Sequence, residues 1–314
     1  MSRFFTSFLA AIALVSTAAV ASAAQAYIII DARTGYVLQA HESAQKRQVG
    51  SLTKVVTASV VLDWAEHKGG SLNQVVEIPQ QAFVGATENP VGFQPGDRVA
   101  LRDLLYAALV QSDNIAAYTL ANAVGSQLEA TAPAAGNSKI TPVDIFVGQM
   151  NALAKQLKME RSRFVNPSGI DTNVRPTPFS TAEDMARVTR YAMNKASFRF
   201  YVSQKERQIT YEHGGKQLHY MLRNTNELLG REGVDGVKTG STARAGECLI
   251  LSADRQPEVV QQGQMTTVYP RRLIVVVLGS TSRFDEAAQL LAGGWQLYDQ
   301  WAAAGRLSTP DKVL

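Results

Sequence analysis

The pattern of hydrophobic and polar residues near the amino end of the chain predicts two strands followed by a helix. Residues 27–31 and 36–40 are short apolar runs separated by a turn that contains Gly35, which is typical of a β-hairpin. From Ser51 onward, apolar residues recur at helical spacing as far as the glycine pair at residues 69–70. We therefore predict a helix that opens at Ser51, with this serine as its N-cap.

The middle of the chain has the periodicity of helices. Apolar residues recur every three to four positions in three segments, residues 101–110, 115–124 and 142–157. Thr141 is placed to cap the last of these, and Ser180 is predicted to open a fourth helix with Glu183 as its capping-box partner. Residues 131–139 are rich in Ala, Pro, Gly and Asn, which predicts a surface loop.

Strand-like segments return in the last third of the chain. They are predicted over residues 233–238, 247–253 and 273–278, with a polar loop at 256–264 and a final helix over 284–301. This order predicts an α+β fold, in which an antiparallel sheet is flanked by helices and a helical lobe is inserted between the first and last strands.

The expected domain organisation follows from the same order of elements. We expect one catalytic domain over residues 25–314, with a sheet lobe at about 25–60 and 205–314 and a helical lobe at about 61–204. No further domain is expected after Leu314.

The first 24 residues have the features of a secretory signal peptide. Arg3 precedes an apolar stretch over residues 8–15, and Ala21-Ser22-Ala23 follows as a cleavage pattern. An uncleaved membrane anchor is the alternative, but polar residues interrupt the stretch. We expect the mature chain to carry no integral membrane anchor and to act in the periplasmic or cell-wall space.

Composition narrows the classes of function. Hydrophobic residues make up 46% of the chain and charged residues 18%, which indicates a folded domain and not a disordered one. A net charge of +4 without a Lys/Arg-rich run makes nucleic acid a poor candidate partner. The single cysteine, Cys248, excludes an intrachain disulfide and fits a buried strand position. The four histidines show no ligand spacing, so we expect no metal and no cofactor.

Three short motifs suggest a nucleophilic serine site. They are Ser51-Leu52-Thr53-Lys54, Ser112-Asp113-Asn114 and Lys238-Thr239-Gly240, and together they match the motifs of penicillin-recognising serine enzymes. A serine hydroxyl needs a base, and residues i and i+3 of a helix lie on one face. Lys54 is therefore the candidate base for Ser51, provided that burial or a second cation, such as Lys238, keeps it neutral near pH 7.

The remaining motif residues have complementary chemistry. Ser112 is the candidate proton relay to the leaving amine, and the Asn114 amide can hold both Lys54 and the substrate, while Asp113 is expected to point elsewhere. Lys238 and Thr239 offer a cation and a hydroxyl to a carboxylate.

Gly240 lets a substrate backbone lie beside the strand, and the N–H groups of Ser51 and Ser241 are candidates for an oxyanion hole. Each motif alone fits an ordinary helix cap or turn, so the argument for chemistry depends on all three together.

At these residues the chain resembles peptidase family S11, the low-molecular-mass penicillin-binding D-Ala-D-Ala carboxypeptidases and endopeptidases. Further segments that look like that family are residues 27–31, 164–171, 223–226 and 234–237. The resemblance implies a β-lactamase/transpeptidase-like fold, peptidoglycan stem peptides as substrates and β-lactam antibiotics as covalent inhibitors. The chain departs from it by ending after its last helix, as in the short members, and by having Asp113 inside the second motif.

The expected function is a serine DD-peptidase that cleaves terminal D-Ala-D-Ala through an acyl-enzyme on Ser51. An endopeptidase that cleaves D-Ala-diaminopimelate cross-links remains open, because both reactions use the same acylation chemistry. A β-lactamase is less favoured, since residues 163–171 contain no Glu that would activate a deacylating water. A peptidoglycan-binding protein without turnover is the alternative from another class.

Overall fold

The computed structural model describes residues 24–83, 88–130 and 140–314. The predicted signal peptide and the predicted loop at 131–139 lie outside these ranges, apart from Ala24. Across the parts of the chain that the structure describes, no helix is both long and apolar enough to cross a membrane.

The described residues form nine strands and seven α-helices. The strands are β1 (Ala26–Asp31), β2 (Val37–His41), β3 (Val75–Glu77), β4 (Arg98–Ala100), β5 (Glu206–His213), β6 (Lys216–Arg223), β7 (Val234–Thr242), β8 (Gly246–Gln262) and β9 (Met265–Ser280). The helices are α1 (Lys54–His67), α2 (Leu101–Val110), α3 (Asn114–Ala130), α4 (Pro142–Gln156), α5 (Ala182–Met193), α6 (Ala196–Val202) and α7 (Arg283–Ala303).

A five-stranded sheet in the order β2-β1-β9-β8-β7 forms the centre of the fold, and its neighbouring strands are all antiparallel. The first and last segments of the chain therefore share one sheet, which confirms the predicted α+β arrangement. Strand β7 lies at one edge and is hydrogen-bonded to β8. Among the described residues, no strand pairs with its other edge.

Both faces of this sheet are buried, and the alternation along β1 shows how. Ile28 and Ile30 belong to a core cluster with α1 and α5, whereas Ile29 belongs to a second cluster with Trp295 of α7. Successive side chains of a strand point to opposite faces, so a strand buried on both sides is apolar at every position. This explains the continuous apolar run of β1 that the sequence shows.

A second, smaller sheet in the order β3-β4-β5-β6 packs beside α2. It contains residues 206–223, which the sequence predicts to lie in the sheet lobe that begins at about residue 205. By strand pairing alone, the five-stranded sheet resumes only at Val234. Strands β5 and β6 were not predicted, although two alternating segments flank Gly214-Gly215, a pair that favours a hairpin turn.

The predicted cap of α4 is confirmed, whereas two other predicted caps are wrong. The Thr141 hydroxyl accepts a hydrogen bond from the Asp144 N–H, and the two residues form a capping box. Ser51 is not an N-cap, because it lies in a 3-10 turn, Gly50–Thr53, and α1 begins at Lys54. Thr181 replaces Ser180 as the cap of α5, since the Ser180 backbone pairs with Arg47.

The prediction of a polar loop at residues 256–264 is also wrong, because β8 continues to Gln262 and pairs with β9 as a long two-stranded ribbon, so only residues 263–264 form the turn. The ribbon extends beyond the parts of β8 and β9 that pair with β7 and β1. Much of the surface of the ribbon is exposed, as at Val259 and Val268, so polar residues are tolerated there. The segment therefore lacks the apolar pattern by which a core strand is predicted.

Candidate active site

Glycines at three positions allow backbone segments to pack closely around the turn that carries Ser51. Gly50 has φ +51, in the left-handed region. A Cβ atom on Gly169 would lie 1.9 Å from the Gly50 carbonyl oxygen. A Cβ atom on Gly240 would lie 2.9 Å from the Val49 carbonyl oxygen and 3.2 Å from the Ser51 nitrogen. Only glycine permits this approach, which brings the end of β7 against the Ser51 turn.

Lys54 is the first residue of α1 and is fully buried. Its Nζ lies 2.8 Å from Ser51 Oγ, 2.7 Å from Asn114 Oδ1 and 3.1 Å from the Ser168 carbonyl oxygen. The spacing of three residues places the serine and the lysine on one side of the backbone in a 3-10 turn as it does in an α-helix. The Ser168 carbonyl oxygen, next to Gly169 in the chain, is the third hydrogen-bond partner of the Lys54 amine.

Burial lowers the pKa of Lys54 to about 7, while the negative charges of Glu88 and Asp113 act in the opposite direction. Desolvation disfavours the charged ammonium, and none of its three hydrogen-bond partners is ionised. The sequence predicts that either burial or a second cation, such as Lys238, keeps Lys54 neutral. In the structure, burial is the largest cause.

Asp113 is turned away from the Ser51 cleft, as expected. Its Oδ1 accepts from the Ala116 N–H at 2.8 Å and its Oδ2 accepts from the Val91 N–H at 3.4 Å. Burial raises the pKa of this carboxyl to about 6, although these amides and Lys54 oppose the shift. Asp113 thus caps α3 and fixes the short connection on which Ser112 and Asn114 lie.

Lys238 and Thr239 lie in the middle of β7, which continues to Thr242 beyond its predicted end at residue 238, and both are buried. Lys238 Nζ donates to the Thr239 carbonyl oxygen at 2.9 Å. Burial lowers the pKa of Lys238 well below its usual value, and the positive charges of Lys54 and Arg283 lower it further. Thr239 Oγ1 lies 2.6 Å from Thr225 Oγ1, and Arg283 Nη1 donates to the Gly240 carbonyl oxygen at 3.1 Å.

Two cavities meet at Ser51, Glu88 and Ser241. One has a volume of about 570 Å³, and its lining includes Ser112, Thr225, Thr239 and Arg283. The other has a volume of about 550 Å³, and its lining includes Asn114, Tyr118 and Asp171. Ser51 therefore lies where a ligand that extends in both directions would have its centre.

The structure brings the predicted residues into one region. Ser51, Ser112, Thr239, Gly240 and Ser241 line the first cavity, and Lys54 and Asn114 form a hydrogen-bonded group with Ser51. The buried Lys238 is joined to this group by its charge interaction with Lys54.

Sequence reasoning assigned no role to several residues of this region, namely Gly50, Glu88, Gly169, Thr225 and Arg283. Thr225 was noticed only as part of a segment that resembles the family. The sequence feature that could have drawn attention to Arg283 is its position at the start of the last helix. Gly50 directly precedes the serine, so its sequence position was a signal for a special backbone conformation.

Residues outside the cleft account for the other chemical signals. Cys248 is completely buried in β8, as predicted, and burial raises the pKa of its thiol to about 11. Among the described residues, Asp63, Glu66 and His67 form a group of potential metal ligands on α1. The Lys195 ammonium group pairs with Asp63 at 2.8 Å and with Glu66, and so lies where a metal ion would have to bind.

This arrangement of a serine, a lysine, an asparagine and a lysine on a neighbouring strand resembles the sites of active-site serine enzymes that use a lysine partner. The sequence profile of peptidase family S11, described as D-alanyl-D-alanine carboxypeptidase, matches residues 13–280. The chain belongs to this family.

Individual proteins that are similar to this chain have names that fit this family. D-alanyl-D-alanine carboxypeptidase DacC of Escherichia coli is 32% identical over 288 residues, which cover 88% of this chain and 62% of that protein. The D-alanyl-D-alanine endopeptidase of Haemophilus influenzae is 28% identical over 230 residues, which cover 73% of this chain and 70% of that one. The chain thus spans about three-fifths of the length of the Escherichia coli carboxypeptidase.

The crystal structure of the Streptomyces K15 DD-transpeptidase has the same fold. It matches with a TM-score of 0.73 at 28% sequence identity, and the match covers 88% of this chain and 98% of that one. The predicted β-lactamase/transpeptidase-like architecture is therefore confirmed.

Proposed function

We propose that this chain is a serine DD-peptidase that cleaves the terminal D-Ala-D-Ala bond of peptidoglycan stem peptides through an acyl-enzyme on Ser51. One observation carries the proposal: a fully buried Lys54, whose pKa is lowered to about 7, lies with its Nζ 2.8 Å from Ser51 Oγ. A neutral amine at this distance can take the serine proton as the hydroxyl attacks a carbonyl carbon.

The partners of Lys54 suit the neutral amine. A neutral amine has two N–H donors and one lone pair, and the Ser168 carbonyl oxygen and Asn114 Oδ1 are both acceptors. Lys54 therefore donates its two hydrogens to these oxygens and directs its lone pair at the Ser51 hydroxyl. Attack then places the serine proton on Lys54 and gives a tetrahedral adduct, which becomes the ester of Ser51 when the C–N bond to the leaving amine breaks.

Ser112 is the proposed route for the proton to the leaving amine. It lines the same cavity as Ser51, on the side of Thr239, where a leaving group would lie. The amine leaves with a proton that originates from Ser51, so the charge of the site is restored. A water molecule then cleaves the ester by the same steps in reverse and releases the acyl product.

The end of β7 is the proposed binding platform. The free edge of this strand allows the substrate backbone to add as a further antiparallel strand, and the N–H groups of Ser51 and Ser241 are the proposed oxyanion donors. Thr239 supplies a hydroxyl and Arg283 a positive charge for the carboxylate that follows the scissile bond. Lys238 would add a second positive charge once a bound carboxylate offsets the burial that lowers its pKa.

Endopeptidase activity is the second candidate, and the relative named D-alanyl-D-alanine endopeptidase favours it. In a diaminopimelate cross-link, a D-centre carboxylate also follows the scissile bond, so the same groups can bind it. We propose β-lactams as covalent inhibitors that are hydrolysed slowly, because residues 163–171 supply no glutamate for deacylation. Export by the signal peptide would place the chain beside the wall.

The test compares the chain without residues 1–24 with its Ser51→Ala variant. The unsubstituted protein should release D-alanine from a stem pentapeptide, or split cross-linked muropeptides, and should be labelled by a fluorescent penicillin. Ser51→Ala should abolish all three reactions. Labelling that persists in the variant would show that another residue is the nucleophile, and chromatography of digested sacculi would decide between the two peptidase activities.

A further inference from the structure

Two threonine hydroxyls meet at the wall of the first cavity. Thr225, from the connection between β6 and β7, and Thr239, from β7 itself, both line the cavity, and their Oγ1 atoms are 2.6 Å apart. Thr239 is buried, whereas Thr225 is half-buried. In the proposed function Thr239 binds a substrate carboxylate, and the following inference about Thr225 rests on that function.

The position of Thr225 is fixed from three sides. Its own N–H donates to the Val110 carbonyl oxygen at the end of α2, at 3.1 Å. The Asn224 side chain donates to the Gln204 carbonyl oxygen at 2.9 Å, and the Asn226 side chain donates to the Gly236 carbonyl oxygen of β7 at 3.0 Å. Thr225 is therefore held between the helix that leads to Ser112 and the strand that carries Thr239.

The count of hydrogens decides the direction of the bond between the two hydroxyls. Each hydroxyl has one hydrogen and two lone pairs, whereas an ionised carboxylate can only accept. When Thr239 donates to a carboxylate, its single hydrogen is used, so the Thr225 hydroxyl must donate to Thr239. A hydroxyl that accepts one hydrogen bond is polarised and donates more strongly.

We propose that Thr225 is a positioning residue that orients the Thr239 hydroxyl towards the carboxylate of the substrate, and that it thereby favours ligands with a free carboxyl terminus. Without Thr225, the Thr239 hydroxyl loses the donor that fixes its rotation. A neutral hydrogen bond contributes modestly, so the expected loss of affinity is roughly 3- to 10-fold.

Equilibrium binding in the Ser51→Ala background tests this proposal without requiring turnover. Two ligands are compared by calorimetry: a stem-peptide mimic that ends in D-Ala-D-Ala, and the same peptide with a C-terminal amide. Thr225→Val keeps the shape but removes the hydroxyl, and Thr225→Ser restores it. Thr119→Val is the matched control, because the Thr119 hydroxyl is buried and has no hydrogen-bond partner among the described residues.

The expected result is a selective one. Thr225→Val should weaken binding of the free acid roughly 3- to 10-fold and leave the amide unchanged, while Thr225→Ser and Thr119→Val should bind both ligands as the background does. In the Ser51-containing protein, Thr225→Val should raise KM for the free acid and change kcat little.

Three outcomes would overturn the proposal: equal weakening of acid and amide, no change with either ligand, or a Ser51→Ala background that does not prefer the acid. A failure of the proposed function gives a different pattern. In that case the selective effect of Thr225→Val on binding persists, but the Ser51-containing protein cleaves neither ligand.

Discussion

A lysine amine that is buried without a carboxylate partner is costly unless it is neutral, and Lys54 is such a residue. Its three hydrogen-bond partners are a hydroxyl, an amide oxygen and a backbone carbonyl oxygen. A neighbouring carboxylate in hydrogen-bond contact would hold the proton on the amine and remove the base. The carboxylates of Glu88 and Asp113 raise the pKa of Lys54 only through their charge. Their effect is smaller than that of burial, so the pKa stays at about 7.

The acylation rate should therefore depend on pH through Lys54. With a pKa of about 7, the neutral fraction falls about tenfold for each pH unit below that value, so the acylation rate constant should fall in parallel and level off above it. Stopped-flow measurement with a fluorescent penicillin between pH 5.5 and 9 would show this fall as the acidic limb of the pH–rate profile. A rate constant that still rises tenfold for each pH unit at pH 9 would mean that Lys54 is charged at neutral pH, and would contradict a pKa of about 7.

Glu88→Gln provides the residue-level control for this titration. The negative charge of Glu88 raises the pKa of Lys54, so its removal should move the acidic limb to lower pH. Because Glu88 is exposed, salt should reduce the shift. Asp299→Asn removes a carboxylate on α7 that pairs with Arg271, and it should leave the limb in place.

At the scale of elements, the sequence predicted what depends on near neighbours. The Ser51 and Lys54 side chains meet because three residues separate them, and this holds although the helix begins at Lys54 and not at Ser51. The cap at Thr141 also depends only on Asp144. Contacts between distant segments could not be predicted, such as Gly169 against Gly50, because no local pattern encodes which glycine meets which backbone.

The wrongly predicted elements have the same explanation. Ser180 and Thr181 are equally suitable caps in isolation, and the pairing of Ser180 with Arg47, a residue 133 positions away (180 minus 47), decides between them. The ribbon of β8 and β9 extends beyond the core, so it lacks the continuous apolar run that identifies β1, and its apolar residues, such as Val259 and Val268, are exposed. Local propensity is decisive only where tertiary contacts do not override it.

Helix α3 offers a test of an element whose end contributes to the site. Asp113→Ala removes the acceptor for the Ala116 and Val91 N–H groups, and loss of such a cap costs about 1–2 kcal/mol of unfolding free energy. Because Ser112 and Asn114 flank the cap, the acylation rate should fall as well. Denaturant unfolding and penicillin labelling would measure the two effects, and an unchanged unfolding free energy would contradict the role of Asp113.

Asp113→Asn separates the cap from the charge. Asparagine remains a good cap, so the helix should persist. Burial raises the pKa of Asp113 from 3.8 to about 6, so the folded state holds this proton more tightly than the unfolded state. The protonated carboxyl therefore contributes to the free energy of unfolding below pH 4, and this contribution is lost as the pH rises through about 6. The unfolding free energy of Asp113→Asn relative to wild type should therefore increase between pH 4 and pH 7.

At the scale of the molecule, the described residues form two cores, one on each face of the central sheet, and the core on the α1 side supports the proposed active site. Leu52 and Val55, on either side of Lys54, belong to the core that contains Phe146 of α4. Trp295 of α7 belongs to the other core, with Ile29 and Val275. Both aromatic side chains are almost completely buried, so the two cores can be compared by equivalent truncations.

Trp295→Ala and Phe146→Ala should each lower the free energy of unfolding by about 3–5 kcal/mol, as large aromatic truncations in a core do. Their effects on acylation of the folded protein should differ. The cavity left by Phe146 lies in the core that positions α1, so the rate should fall, whereas Trp295→Ala should leave it within about twofold. Labelling at a pH and temperature where both variants remain folded measures this, and equal losses in the two variants would show that the faces of the sheet are coupled.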